Sequence, residues 1–164
     1  MPASSWLSCP IQSRFIDTRE DACAYYAFRL VGDHPVSVQG VSVVVRFNPE
    51  ETHLFTDTRS PCPPGDVVRR AGASGELRCF SAERARLLDL ILPTIAAPVV
   101  TLCARIPGGV MLLGPPDPSA RRLCVVVAPS ARDRGLWFVR TSYPMSPKDF
   151  AAARRGRAVP WPPK

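Results

Sequence analysis

Residues 98–145 read PVVTLCARIPGGVMLLGPPDPSARRLCVVVAPSARDRGLWFVRTSYPM, and the fold class turns on how this run divides. Four β-type segments, PVVTLCARI, VMLLG, RRLCVVVAP and GLWFVRTSY, are separated by P-G-G, P-P-D-P-S and S-A-R-D-R-G. Branched and aromatic side chains fill the segments because they pack well on a pleated surface. Pro, Gly, Asp and Ser fill the gaps because they fix or permit the dihedrals that turns require. Consecutive strands joined by short turns pair antiparallel, so the run predicts a four-stranded antiparallel β-meander.

The last segment then reads by a period of two: Trp137, Val139, Thr141 and Tyr143 point one way, Phe138, Arg140 and Ser142 the other. Both faces turn polar at the same end. Fraying of the strand accounts for this, since Thr and Tyr are good strand formers and Tyr143–Pro144 ends the element. A site at the end of the strand accounts for it as well.

Upstream, residues 14–31 place Phe15, Cys23, Tyr26 and Leu30 near helical spacing, with Asp17 or Thr18 as the cap. Residues 36–47 are Val-rich and partly alternating, and residues 52–58 are extended; these read as strands or a hairpin. Residues 59–78 read as a long surface loop. Residues 80–92 predict the clearest helix, with Ser81 as cap, Glu83 in the first turn, Leu87, Leu88, Ile91 and Leu92 as the apolar stripe, and Pro93 as its stop or kink. Residues 146–155 predict a short helix. Helices followed by a sheet give an α+β fold: N-terminal helices packed on one face of the C-terminal meander, the other face open and concave. The expectation is a single domain over residues 1–158 and a Pro/Trp-rich tail over 159–164, flexible unless Trp161 docks.

Length and composition suit one globular domain: 164 residues, 46% hydrophobic and 21% charged, with 19 prolines clustered in loops and the tail. The net charge of +7 suits an anionic partner such as nucleic acid, and because Lys148 and Lys164 are the only lysines the charge is almost all Arg, which matches phosphate bidentately. A GC-rich genome gives the same Arg, Ala and Pro bias. The first eight residues carry neither the charged nor the apolar region of a secretion signal, and no run is long enough to cross a bilayer. The expected location is therefore cytoplasmic, or a target cell's cytoplasm reached without a classical signal peptide.

Several chemistries are disfavoured. Six cysteines without a C-x-x-C pair speak against zinc, and in a reducing compartment Cys103 and Cys124 read as small core residues. Scattered carboxylates speak against a divalent-metal nuclease; phosphate-binding glycine loops, a G-x-S-x-G turn and a cysteine with a nearby histidine are missing too. No metal or cofactor is expected. Of the two histidines, His34 precedes Pro35 in a G-D-H-P turn and reads as solvated, whereas His53 has Glu50, Glu51 and Asp57 close in sequence. Acid–base chemistry with cationic support is what remains.

Three features resemble the barnase, EndoU, colicin and RelE-like (BECR) nuclease superfamily, in its phage and polymorphic-toxin branches: the E-T-H-L-F segment, the helix R-C-F-S-A-E-R-A-R-L-L-D-L-I leading into four strands, and the final F-V-R-T-S-Y-P. The last resembles the R-T-A-Y-P strand of such toxins, with Ser142 at the Ala position; the likeness covers roughly residues 40–155. It implies a metal-independent toxin-type endoribonuclease in which the substrate 2′-hydroxyl attacks its own phosphodiester. His53 would be acid or base, and Arg140 with Arg105 would hold the phosphorane. Thr141 or Ser142 would bind a phosphate oxygen, and Tyr143 would stack a base or orient the histidine. The implied partners are RNA, tRNA included, and a cognate immunity or antitoxin protein. A rival reading keeps the fold and drops the chemistry: a non-catalytic RNA- or partner-binding accessory module.

Overall fold

The computed structural model describes residues 15–59, 61–71 and 76–164. Among these the strands are β1 (Gly32–Val38), β2 (Val41–Phe47), β3 (Thr56–Asp57), β4 (Val67–Ala71), β5 (Glu76–Phe80), β6 (Val100–Cys103), β7 (Val110–Pro116), β8 (Arg122–Pro129) and β9 (Leu136–Met145). The α-helices are α1 (Arg19–Tyr25), α2 (Ala82–Ala85), α3 (Ile91–Ala96) and α4 (Pro147–Ala153). The fold is α+β, and the chain gathers into two compact units. The first combines Met1–Val31 with Pro49–Asp89, the second Gly32–Asn48 with Leu90–Lys164.

The second unit holds a six-stranded sheet in the order β1-β2-β9-β8-β7-β6. It is not the four-stranded antiparallel sheet expected from the sequence, because β2 adds to β9 in parallel and brings β1 with it. The physical reason is the edge of β9, whose N–H and C=O groups would otherwise lack a ladder partner. Gln39 (φ 49°) and Gly40 (φ 79°) join β1 to β2, and two successive positive φ values are what a tight hairpin turn with the strand twist demands.

Helix α3 packs on one face of this sheet against β1, β7 and β8, with Ile91 and Ile95 fully buried. The sequence pattern placed Ile91 and Leu92 at the end of one helix running from residue 80. Instead α2 spans only Ala82–Ala85, capped by Ser81 Oγ accepting from the Arg84 N–H, and α3 begins anew at Ile91. Pro93 lies in the first turn of α3, where its missing N–H costs nothing, so it neither stops nor kinks that helix. Helix α4 forms as expected, with Ser146 accepting from the Asp149 N–H and Pro147 at its start. On the opposite sheet face, Phe150 of α4 packs on a cluster of Leu102, Leu113, Cys124, Val126 and Met145.

After α4 the chain runs along the free edge of β6. The Cys103 N–H donates to Arg157 O, Ala158 bridges to Leu102, and the Val159 N–H donates to Thr101 O. Trp161 then docks: it is 5% exposed, its Nε1 donates to Ile95 O at 2.9 Å, and its ring meets Trp137 edge-on at 4.8 Å. One aromatic with a satisfied polar tip thus fastens the segment expected to be a flexible tail.

In the first unit, Thr18 caps α1 by accepting from the Asp21 N–H, and the helix runs on into a π-helical turn over Tyr26–Leu30. Strands β3, β5 and β4 form a small antiparallel sheet, so of the loop expected over residues 59–78 the parts 67–71 and 76–78 are strand, 61–66 connect β3 to β4, and 60 and 72–75 lie outside the described residues. Residues 52–58 are extended only at Thr56–Asp57; Thr52–Leu54 form a 3-10 turn. Cys62 and Cys79 form a disulfide, and Cys103, expected in the core, is exposed; Cys124 is buried as expected. No helix among the described residues is long and apolar enough to cross a membrane.

Replacing Trp161 by Ala removes the Trp137 contact and the hydrogen bond to Ile95. The expected loss is about 3 to 5 kcal/mol of stability, read as a lowered urea midpoint followed by far-ultraviolet circular dichroism. A midpoint within error of wild type would mean that the segment carries no such anchor.

Candidate nucleic-acid interface

The positive charge is not spread evenly. The second unit carries twelve Lys and Arg against four Asp and Glu, a net +8, while the first carries nine against ten, a net −1. Three of the twelve, Arg46, Arg122 and Arg140, lie in strands of the six-stranded sheet.

Register along β9 explains where the polar end of the strand goes. Val127 pairs with Val139 but Val126 with Thr141, so Arg140 is an extra residue, a β-bulge. The bulge reverses the alternation beyond it, so the period-two reading fails there. Ser142, opposite Val125, shares the covered face with Trp137 and Val139; Thr141 and Tyr143, opposite Val126 and Cys124, share the α4 face with Phe138.

The sequence-predicted residues therefore part company. Arg140 is exposed at the bulge, and Thr141 beside it is half-buried. Ser142 is 1% exposed, facing the core, out of a ligand's reach. Tyr143 packs into the cluster beneath α4, its hydroxyl within hydrogen-bonding reach of the Cys124 thiol. Arg105 is exposed in the turn after β6, with β7 and β8 between that strand and β9.

Helix α4 leaves the β1-β2-β9 side of its sheet face uncovered: Asp33, Pro35, Ser37 and Ser42 are exposed, and Val44, Arg46 and Phe138 are half-buried. The Arg46 guanidinium makes two hydrogen bonds to Asp33, at 2.6 and 2.9 Å, and stands 5.8 Å from the centroid of the Phe138 ring. That pairing holds the Asp33 carboxyl below its ordinary range. Arg46 is thus held beside Phe138, and Arg140, two residues along the same strand, is exposed. Neither Arg46 nor Phe138 was singled out in the sequence, because both acquire meaning only once β2 lies beside β9. Among the described residues no cluster of His, Cys, Asp and Glu could hold a metal ion.

His53 belongs to the first unit. It sits on the Thr52–Leu54 turn, its carbonyl accepting from Arg84 Nη1 at 3.1 Å and its Nε2 3.8 Å from Glu51 Oε1. The imidazole side chain is 43% exposed and that of Glu51 13%, so the carboxylate backs a ring that meets solvent.

No protein-family profile, curated protein or solved structure matches this chain. The superfamily resemblance rests on its three sequence motifs alone.

Burial pushes the Cys124 thiol up to about 11 from its ordinary 9.0, against the opposing hydrogen bond from Tyr143. Between those pH values an unfolded chain gives up the proton and the folded one keeps it, so stability is full below pH 9 and falls as pH rises, by up to about 1.4 kcal/mol per unit. Urea midpoints from pH 7 to 11 should show this decline. The decline should be shallower in Cys124→Ala, with the remainder beginning near pH 10 as the Tyr26 hydroxyl, also raised by burial, titrates in the unfolded chain. An unchanged slope would place the thiol in water.

Proposed function

We propose that this protein binds single-stranded RNA on the uncovered side of the second unit's sheet. The observation that supports the reading is the Phe138 ring beside Arg46, on a strand that also carries exposed Arg140, in a unit of net charge +8. An aromatic ring on a sheet accepts a stacked base whatever its identity, and the surrounding guanidiniums take the phosphates. Duplex RNA offers no splayed base to such a ring, so the chemistry favours unpaired strands.

Cleavage is the second reading, favoured by the 3.8 Å His53–Glu51 pair. Cutting RNA without a metal needs a base to take the 2′-hydroxyl proton, an acid to protonate the leaving 5′-oxygen and a cation for the phosphorane. An exposed imidazole backed by a carboxylate is equipped for the first two roles in turn.

Fluorescence anisotropy on a 12-nucleotide RNA tests the binding. Affinity should fall with salt at a log-log slope of roughly −0.7 per phosphate contact, Arg140→Ala should reduce that slope by about one contact, and Phe138→Ala should weaken binding roughly 5- to 150-fold. Binding that ignores salt, or a Phe138→Ala variant with wild-type affinity, overturns the reading. Incubation with RNA in excess chelator tests cleavage: 2′,3′-cyclic phosphate ends that disappear in His53→Ala, with affinity retained, establish it. The His53→Ala effect should be about 10²- to 10⁴-fold on turnover.

A further inference from the structure

The Cys62–Cys79 disulfide stands where three strands meet. Cys79 is fully buried on β5, the central strand, paired with Asp57 of β3 on one side and Val67 of β4 on the other. Cys62, half-buried, belongs to the connection between β3 and β4, so the bond ties that connection to the central strand. Arg59 Nη2 lies 3.1 Å from Cys79 Sγ. The same nitrogen is 3.1 Å from Asp66 Oδ2 and 3.1 Å from Phe80 O, which fix the guanidinium in place.

We propose that Cys62 is a redox modification site, at which a low-molecular-weight thiol attacks the sulfur and expels Cys79 as a thiolate held by Arg59. The two sulfurs differ in both respects that govern exchange. Cys62 is the one solvent reaches, and Cys79 is the one with a cation beside it, which lowers the basicity of a departing thiolate and speeds its departure. Asp57 opposes this: it is the cross-strand neighbour of Cys79, and its buried Oδ1 has no hydrogen-bond partner. The direction of opening therefore depends on Arg59.

The electrons balance in two steps. The attacking thiolate RS⁻ forms a bond to Cys62 Sγ as the Cys62–Cys79 bond breaks, its electron pair leaving on Cys79 as the thiolate beside Arg59. A second thiolate RS⁻ then attacks the sulfur of the first, releasing RSSR and the Cys62 thiolate. Two thiols are oxidised to one disulfide as the protein disulfide is reduced. Opening frees the β3–β4 connection, whose closure spans 17 residues, and should raise the unfolding equilibrium of the first unit roughly 10²-fold.

Oxidised protein is incubated with glutathione for graded times, quenched in acid, alkylated with iodoacetamide after denaturation, and digested for peptide mass spectrometry. The expected early product carries glutathione on Cys62 and the alkyl group on Cys79, with Arg59→Gln slowing its formation about tenfold and Arg59→Lys restoring much of the rate. Glutathione equally or mainly on Cys79, no adduct at all, or an Arg59→Gln variant that exchanges at the wild-type rate each overturns the proposal. The adduct's position is read in the wild-type protein, so it does not depend on either variant folding.

Discussion

Three residues of β2, Val44 to Arg46, lie parallel beside Leu136 to Phe138 of β9, and the second unit is organised by that contact. The Val44 N–H donates to Gly135 O at 2.9 Å, and Val45, fully buried, sits next to Trp137. Between the two strands the chain makes the whole 49–89 part of the first unit, then α3 and three more strands. Such an excursion is tolerable because closure entropy grows only logarithmically, by about 0.6 kcal/mol per doubling of length. Burying Val45 and Trp137 returns roughly 1.5 to 3 kcal/mol for each side chain. Without this pairing β9 would be an edge strand and β1 would have no sheet to join. Arg46 would not stand against Phe138.

The second constraint is the bulge at Arg140. A regular β9 would alternate to its end, placing Thr141 and Tyr143 with Trp137 on the face that α3 covers. The extra residue exchanges the faces, so that Ser142 fills a core position opposite Val125 and Tyr143 is delivered to the cluster under Phe150. Four consecutive polar residues therefore have four different environments. Three are used by the fold itself or lie against it, and Arg140 is the one left at the surface of the strand. Bulges commonly re-aim a side chain in this way, at the cost of one interrupted step in the ladder.

Much of the second unit was legible from local pattern: the strand segments between residues 98 and 145, the capped helix after Ser146, the α+β class. What was not legible was either non-local or inserted. No periodicity announces that VSVVVRF pairs with LWF from the far end of the chain, because parallel partners share no turn. A single-residue bulge leaves the composition of β9 unchanged while reversing its faces. In the first unit, the Pro, Gly and Arg of residues 59–78 hid two strands, since a short sheet stapled by Cys62–Cys79 needs less apolar alternation than a free one. The helix over 80–92 failed for a different reason. Its apolar stripe is real, but α2 ends in one unit and α3 starts in the other, so the stripe serves two cores. Of the candidate site, Arg140 and His53 could be found as residue types, whereas Arg46 and Phe138 required the strand order.

Charge and acid–base chemistry are carried by different units, and this orders the two functional readings. The unit of net +8 has the Phe138 ring and the exposed Arg140, but its histidine, His34, is paired opposite Val45 with its ring edge-on to Phe47 at 5.3 Å, on the opposite sheet face from Phe138. The unit with the exposed imidazole and its carboxylate has nine cations against ten anions, and so no net attraction for a phosphate chain. Binding requires only the first of these sets. Cleavage requires a proton-transfer group and a phosphate-holding group at one phosphodiester, since neither accelerates the reaction by acting on a different linkage. Affinity can therefore exist without catalysis, but catalysis cannot exist without affinity, and for that reason binding is the function proposed first.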